Sequence, residues 1–152
     1  MTVSDPTLEA ARSIVDESLD AMRAAVAGAS ADALNRLPAG DDTNSIAVLV
    51  VHALSSTRWW LSVALGGPVP ERDRPSEFLT TVAGADELLG VFDPIAADCR
   101  TLLSTDVAFD PGAIRVDPRD GDSVTAAWAL IHAVEHLREH VGHAELTRQL
   151  LG

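Results

Sequence analysis

The sequence of 152 residues contains no tyrosine, one cysteine and only 11 basic residues. Without tyrosine, no phenolic side chain can act as an acid, a base or a nucleophile. The single cysteine, Cys99, excludes a disulfide framework and favours a reducing compartment, so we expect a cytoplasmic protein. The basic residues stand against 23 acidic ones, for a net charge of −12. Because this charge repels phosphate backbones and anionic lipids, we expect neither nucleic acid nor membrane as a partner.

Long apolar runs and strand patterns are also missing. The longest apolar run, residues 46–54, is interrupted by His52 and is far shorter than the roughly 20 residues of a membrane-spanning helix. The N-terminal residues lack the basic region and apolar core of a signal peptide. β-Branched residues do not alternate with polar ones between turns. We therefore expect a single all-α domain over residues 1–152.

Alanine and leucine dominate, and apolar residues recur at intervals of three and four, which predicts amphipathic helices. The four predicted helices run from Ser4 or Asp5 to Gly28, from a Thr43 cap to about Leu65, from about Ala85 to Leu103, and from Asp122 or Ser123 to about Leu150. The remaining segments are predicted to be loops, with short helical turns in residues 30–37 and near residues 76–79. Four long helices of this kind predict an antiparallel four-helix bundle.

Two features of these helices carry further expectations. Pro94 lies inside the third helix and should kink it or divide it in two. The fourth helix has apolar residues beyond one face, namely Leu130, Val134, Leu137 and Val141. This surplus favours a homodimer formed through that helix, although a thick core accounts for it equally well.

Four of the five histidines lie in the fourth helix, at positions 132, 136, 140 and 143. At about 100° per residue they fall within roughly 80° of the helix circumference. Two imidazoles four residues apart can bind one metal ion at about 2.0–2.1 Å, and His52 in the second helix supplies a third nitrogen. Three protein ligands with an open position are typical of catalytic sites. The spacing leaves open whether His132 and His136 or His136 and His140 form the pair.

Other side chains near this line have two interpretations each. Glu139 lies about 20° from the histidine line, where it could orient a ligand or act as a base; an exposed carboxylate is the simpler interpretation. Trp59 follows His52 by seven residues on the same helical face, and could line a pocket or belong to the core. Trp60 and Trp128 are expected in the core or at a helix interface.

Two segments together resemble the DinB-like superfamily of four-helix metal proteins: TNSIAVLVVHALSSTRWWL in the second helix and HLREHVGHAELTRQLL in the fourth. The resemblance extends over nearly the whole chain and implies a DinB-like bundle. It implies His52, His136 and His140 as the metal ligands, with His132 and His143 as neighbours at the pocket.

The resemblance also implies an activity. Characterised members of the superfamily include metal-dependent S-transferases that use mycothiol or bacillithiol, and a mycothiol-dependent maleylpyruvate isomerase. We therefore expect a divalent transition metal, a low-molecular-weight thiol as co-substrate and a second small-molecule substrate. Imidazole ligands suit zinc, nickel, iron or copper, so the metal stays open. A non-catalytic metal-binding or dimerisation module, a metal-dependent hydrolase and a metal-free bundle remain alternatives.

Overall fold

The computed structural model describes residues 5–104 and 106–152, so Ser4, one predicted start of the first helix, lies outside the described residues. The elements are, in chain order, α1 (Pro6–Val26), α2 (Ala31–Asn35), α3 (Ile46–Leu65), α4 (Arg74–Glu77), α5 (Ala85–Leu102), β1 (Ile114–Val116), β2 (Ser123–Thr125) and α6 (Ala126–Leu151). Helices α1, α3, α5 and α6 pack together, with α3 against both α5 and α6. The predicted all-α four-helix bundle is confirmed.

The helix starts follow from the side chains that cap them. Asp5 caps α1 by accepting hydrogen bonds from the amides of Thr7 and Leu8 at 2.8 and 3.1 Å, as predicted. The predicted cap of α3 is wrong, because the hydroxyl of Ser45 accepts from the amide of Val48 at 3.2 Å. Thr43 instead donates a hydrogen bond to a carbonyl in the preceding turn, at 2.7 Å. Both residues favour caps, so composition could not distinguish them.

Helix α5 continues without interruption through Pro94, so the proline does not divide it. Proline removes the hydrogen bond to the carbonyl four residues earlier, which belongs to Gly90. Both residues are exposed, so water can satisfy the free carbonyl. Phe92 and Ala96, each 1% exposed, hold the helix against the core on both sides of the proline.

The segment before α6 contains a two-stranded antiparallel hairpin where a loop was predicted, pairing Ile114 with Thr125 and Val116 with Ser123. Helix α6 therefore starts three or four residues later than predicted, because Ser123 lies in a strand and Thr125 is the cap. Strands of three residues are too short for alternation to show. The side chain of Arg115 donates to the carbonyl of Ala64 at 3.2 Å and so ties the hairpin to the end of α3.

Helix α3 forms the centre of the core. By length and composition it could cross a membrane, but 83% of its most apolar window is buried inside the bundle. The surplus apolar residues of α6 also belong to this core: Leu130 is 1% exposed, Leu137 and Val141 are 0% exposed, and Val134 is partly buried against them. They therefore form no free face, and the homodimer stays a prediction without their support. Trp128, expected in the core or at a helix interface, is 46% exposed, and its ring centre lies 5.3 Å from that of Trp60 where α6 meets α3.

The connection between α3 and α5, which we call the strap (residues 67–84), passes beside the middle of α3. The predicted turn near residues 76–79 is the short helix α4, capped by Asp73. The strap is anchored near its end by Asn35, whose amide group donates to the carbonyl of Val82 at 2.7 Å and accepts from its amide at 2.9 Å. Glu77, which is buried, is a second point of attachment and lies against His52.

Candidate metal centre

Three histidines converge where α3 packs against α6. His52 lies in the middle of α3, and His136 and His140 lie one turn apart on α6. The ring centre of His52 is 5.1 Å from that of each of the other two, and those two are 4.5 Å apart. One nitrogen from each ring lies within 4.8 Å of the others. The three side chains could therefore hold one metal ion.

The nitrogens of the α6 pair have a spacing suited to a shared ion. The Nε2 atoms of His136 and His140 are 3.2 Å apart. Two nitrogens bound tetrahedrally at about 2.0–2.1 Å from one ion lie about 3.3 Å apart. At this separation one neutral ring can donate to the other, or both can direct their lone pairs to one ion. The distance between these two nitrogens fits either arrangement.

The surroundings keep the α6 pair in the form that binds metals. Burial, reinforced by neighbouring histidines, lowers the pKa of His136 to about 3. Burial and the neighbouring His52 lower the pKa of His140 to about 4. Both rings are therefore neutral at pH 7, as a metal ligand must be. The Nδ1 atom of His136 is buried without a hydrogen-bond partner among the described residues. A cluster that disfavours protonation in this way fits a divalent cation.

The third ring, His52, is held from behind by a buried carboxylate. Its Nδ1 donates to Oε2 of Glu77 at 2.8 Å, and the Glu77 side chain is only 5% exposed. An ionised carboxylate can only accept, and Oε2 lies closer to Nδ1 than Nη2 of Arg72 does, at 2.8 against 3.3 Å, so Nδ1 carries the proton and Nε2 is left free for an ion. Glu77 was not predicted as a site residue from the sequence. Pro75 behind an Asp73 cap signals a helical turn there, but nothing in the sequence shows which histidine that turn meets.

Two further strap residues complete the surroundings of His52. Arg72 donates from Nε and Nη2 to the two carboxylate oxygens of Glu77, at 2.6 and 2.9 Å. The ring centre of Phe78 is 4.8 Å from that of His52. Burial alone would raise the pKa of Glu77, but hydrogen bonds from His52 and Arg72 bring it below its ordinary value. Glu77 is therefore a carboxylate at neutral pH.

The other two histidines of α6 have different partners. His132 is hydrogen-bonded to Glu135 at 2.9 Å and stacks on Trp128 with ring centres 4.8 Å apart. Its ring centre is 5.8 Å from that of His136, and it lies outside the group of three. The Nδ1 atom of His143 is 3.4 Å from Nδ1 of His140. His140 therefore meets His143 through Nδ1 and meets His136 through its other ring nitrogen, Nε2.

The remaining predicted site residues lie around this group. Glu139 is exposed, and among the described side chains it makes no hydrogen bond to the three histidines; its charge opposes the lowering of the His140 pKa. Trp59 is 7% exposed and belongs to the core. It also lines a cavity of ≈ 410 Å³ between the strap and the hairpin turn at Arg119. Trp60 is buried as expected, at 1% exposed.

A second cavity lies at the C-terminal part of α6. Its volume is ≈ 340 Å³, and its walls include His143, Leu146 and the segment before α3. His143, which lines this cavity, lies beside His140, and Arg72, which lines the first cavity, contacts Glu77 behind His52. The three histidines line neither cavity themselves, so each space meets the histidine cluster through one neighbouring residue.

Comparison with known proteins gives the family. The fold resembles that of a conserved protein from Enterococcus faecalis, with a TM-score of 0.72 and 17% sequence identity over 94% of this chain and 95% of that one. No curated protein matches the sequence. The profile of a family described as Mycothiol-S-transferase matches residues 10–152. The predicted DinB-like resemblance is thereby confirmed, and the chain belongs to the mycothiol-S-transferase family, a DinB-like family.

Proposed function

We propose that the protein is a metal-dependent S-transferase that joins mycothiol to a small electrophile. The observation that carries the proposal is the convergence of His52, His136 and His140, with all three ligand nitrogens within 4.8 Å of one another. The family supports the reaction class and implies a thiol substrate. Bacillithiol, the other thiol of the wider superfamily, is the second thiol to test.

The residues of the chain have separate tasks in this proposal. His52, His136 and His140 would hold the divalent ion, which when bound favours the thiolate over the thiol. Two of these rings are neutral at pH 7 because their pKa values lie at about 3 and about 4, so the ion keeps its full charge. Glu139, exposed one residue before His140, is the proposed base that accepts the thiol proton on its carboxylate. The thiolate sulfur then attacks the electrophile and displaces its leaving group.

The structure supports this assignment over one using the cysteine of the chain. Cys99 is 0% exposed, and burial raises the pKa of its thiol to about 12. It is therefore a protonated, inaccessible thiol at neutral pH and cannot act as the nucleophile. The two cavities lined by Arg72 and by His143, of ≈ 410 and ≈ 340 Å³, are proposed to receive parts of the thiol and of the electrophile.

The cellular compartment, the metal and the oligomeric state are further parts of the proposal. A reducing compartment keeps small thiols in their reactive form, so we place the protein in the cytoplasm. Zinc, nickel and iron all accept three imidazoles, and the metal is to be identified by measurement. Homodimer formation is an independent prediction that native mass spectrometry tests.

The test uses protein purified without a histidine tag after growth with zinc, nickel and iron. We expect about one ion per chain by elemental analysis, and transfer of mycothiol to a fluorescent bimane electrophile. His52→Ala should lose both. His132→Gln is the matched control, since it removes a histidine of α6 that lies outside the group of three, and it should keep the metal.

The alternatives give different results in the same assay. Wild-type protein that retains no metal after supplementation would refute the proposal. Bound metal with a transfer rate no greater than that of His52→Ala would identify a non-catalytic metal-binding module. Turnover of ester substrates that does not depend on added thiol would identify a hydrolase.

A further inference from the structure

The strap brings three side chains around one imidazole. Arg72 forms an ion pair with the buried Glu77, Glu77 accepts a hydrogen bond from Nδ1 of His52, and the ring of Phe78 lies against the same imidazole. The guanidinium of Arg74 in turn lies 5.1 Å from the centre of the Phe78 ring. The segment from residue 72 to residue 78 therefore meets the bundle at His52.

The carboxylate of Glu77 is held in a single orientation. Its side chain is 5% exposed, and such a buried charge is unfavourable unless it is paired and hydrogen-bonded. Arg72 engages both oxygens from one side, at 2.6 and 2.9 Å. Oε2 then also receives the proton on Nδ1 of His52, at 2.8 Å. Because a bidentate guanidinium fixes the plane of the carboxylate, Arg72 determines where Oε2 lies.

The three histidines differ in the hydrogen-bond partner of their Nδ1 atoms. Among the described residues, the Nδ1 of His136 has no hydrogen-bond partner, and the Nδ1 of His140 lies 3.4 Å from Nδ1 of His143. Of the three histidines, His52 alone has a carboxylate from the described residues hydrogen-bonded to its Nδ1. A carboxylate on the far nitrogen fixes the tautomer and makes the near nitrogen a stronger donor of electron density to a metal.

We propose that Glu77, oriented by Arg72, is a positioning residue that fixes the tautomer and ring orientation of His52 and thereby sets the metal affinity of the site. This rests on the proposed function only in that His52 is taken as a metal ligand. Removing a partner of this kind commonly weakens metal binding by about 10–100-fold. A purely structural role, in which Glu77 and Arg72 only fasten the strap, predicts no change in metal affinity.

The test compares two charge-neutralising substitutions in the strap. Glu77→Gln keeps the shape of the side chain and removes its charge, and Glu71→Gln makes the same change at an exposed position of the strap. Zinc affinity is measured by competition with a chelator, and the cobalt(II) form is examined by visible absorption. We expect Glu77→Gln to weaken zinc binding by about tenfold or more and to shift the cobalt bands, with Glu71→Gln within twofold of wild type.

Arg72→Lys provides a second variant. It keeps the positive charge but loses the two-pronged contact, so it should weaken zinc binding less than Glu77→Gln does and still shift the cobalt bands. A Glu77→Gln protein that folds and binds zinc within twofold of wild type would overturn the proposal.

If these variants fail to fold, the tautomer of His52 can be measured in the metal-free wild-type protein instead. Nitrogen-15 NMR of the imidazoles at pH 7.5 should show His52 protonated on Nδ1. Protonation on Nε2 would contradict the positioning role. Failure of wild-type protein to bind zinc would instead refute the proposed function, and the tautomer measurement distinguishes the two failures.

Discussion

The metal-free protein should lose stability as the pH falls from 7 to 5, because of His136 and His140. Their pKa values in the folded protein are lowered to about 3 and about 4, against about 6.5 in an unfolded chain. A group with a lowered pKa of this kind binds more protons when unfolded, so acid favours unfolding. The stability linked to these neutral rings is greatest well above pH 6.5, falls as the pH drops through 6.5, and continues to fall towards pH 3.

The proton count gives the size of the effect. At pH 5, two unfolded histidines with pKa about 6.5 carry about 1.9 protons, whereas the folded pair carries about 0.1. Unfolding at pH 5 should thus take up roughly 1.8 protons at these two positions, against roughly 0.5 at pH 7. Glu77, whose pKa is also lowered, contributes mainly below its ordinary value of 4.5, outside this range.

Urea unfolding at pH 7.5, 6 and 5 in the presence of a chelator measures this dependence. The double variant His136→Leu, His140→Leu lacks both titrating rings, so its free energy of unfolding should fall less steeply with pH than that of wild type. His132→Leu is the control, because its ring lies outside the group of three. Equal slopes for wild type and the double variant would refute the argument that burial holds these two rings neutral.

Three further predictions concern the core and the helix ends. Leu54 is 0% exposed, so Leu54→Ala should lower the protein's free energy of unfolding, measured in urea, by about 2–5 kcal/mol. A decrease below about 1 kcal/mol would contradict the central position of this side chain. Cys99 should resist iodoacetamide at pH 8 in the folded protein and react once urea unfolds it, as followed by mass spectrometry, and rapid labelling of the native protein would show that it is accessible. Gly66 ends α3 at φ 70°, and an added Cβ would lie 3.0 Å from the Arg115 guanidinium. Gly66→Ala should therefore lower the free energy of unfolding by about 1 kcal/mol. An unchanged melting temperature would contradict this expectation.

The helices and the histidine line could be predicted because both depend on the helical repeat. Spacing alone places His132, His136, His140 and His143 on one side of α6 whatever the rest of the chain does. Spacing could not choose between the two pairs. That choice depends on which turn of α6 lies opposite His52, and only the packing of α3 on α6 decides it.

The strap and the hairpin were poorly predicted for a different physical reason. Glu77 lies in a polar connection, and its role depends on a contact with His52, 25 residues earlier in the chain. The strands β1 and β2 have three residues each, too few for a periodic pattern, and they form because the hairpin lies against the end of α3. The sequence also left open whether Trp128 lies in the core or at a helix interface, and tertiary contacts place it at the α3–α6 interface, against Trp60 and His132.

The most direct test of the account is the anomalous scattering of crystals grown from tag-free protein, recorded at the absorption edge of the metal that co-purifies with it. We expect one peak per chain, with Nε2 of His52, His136 and His140 each about 2.0–2.1 Å away. A peak coordinated by His132 instead, or crystals of zinc-supplemented protein with no peak among the three histidines, would contradict it.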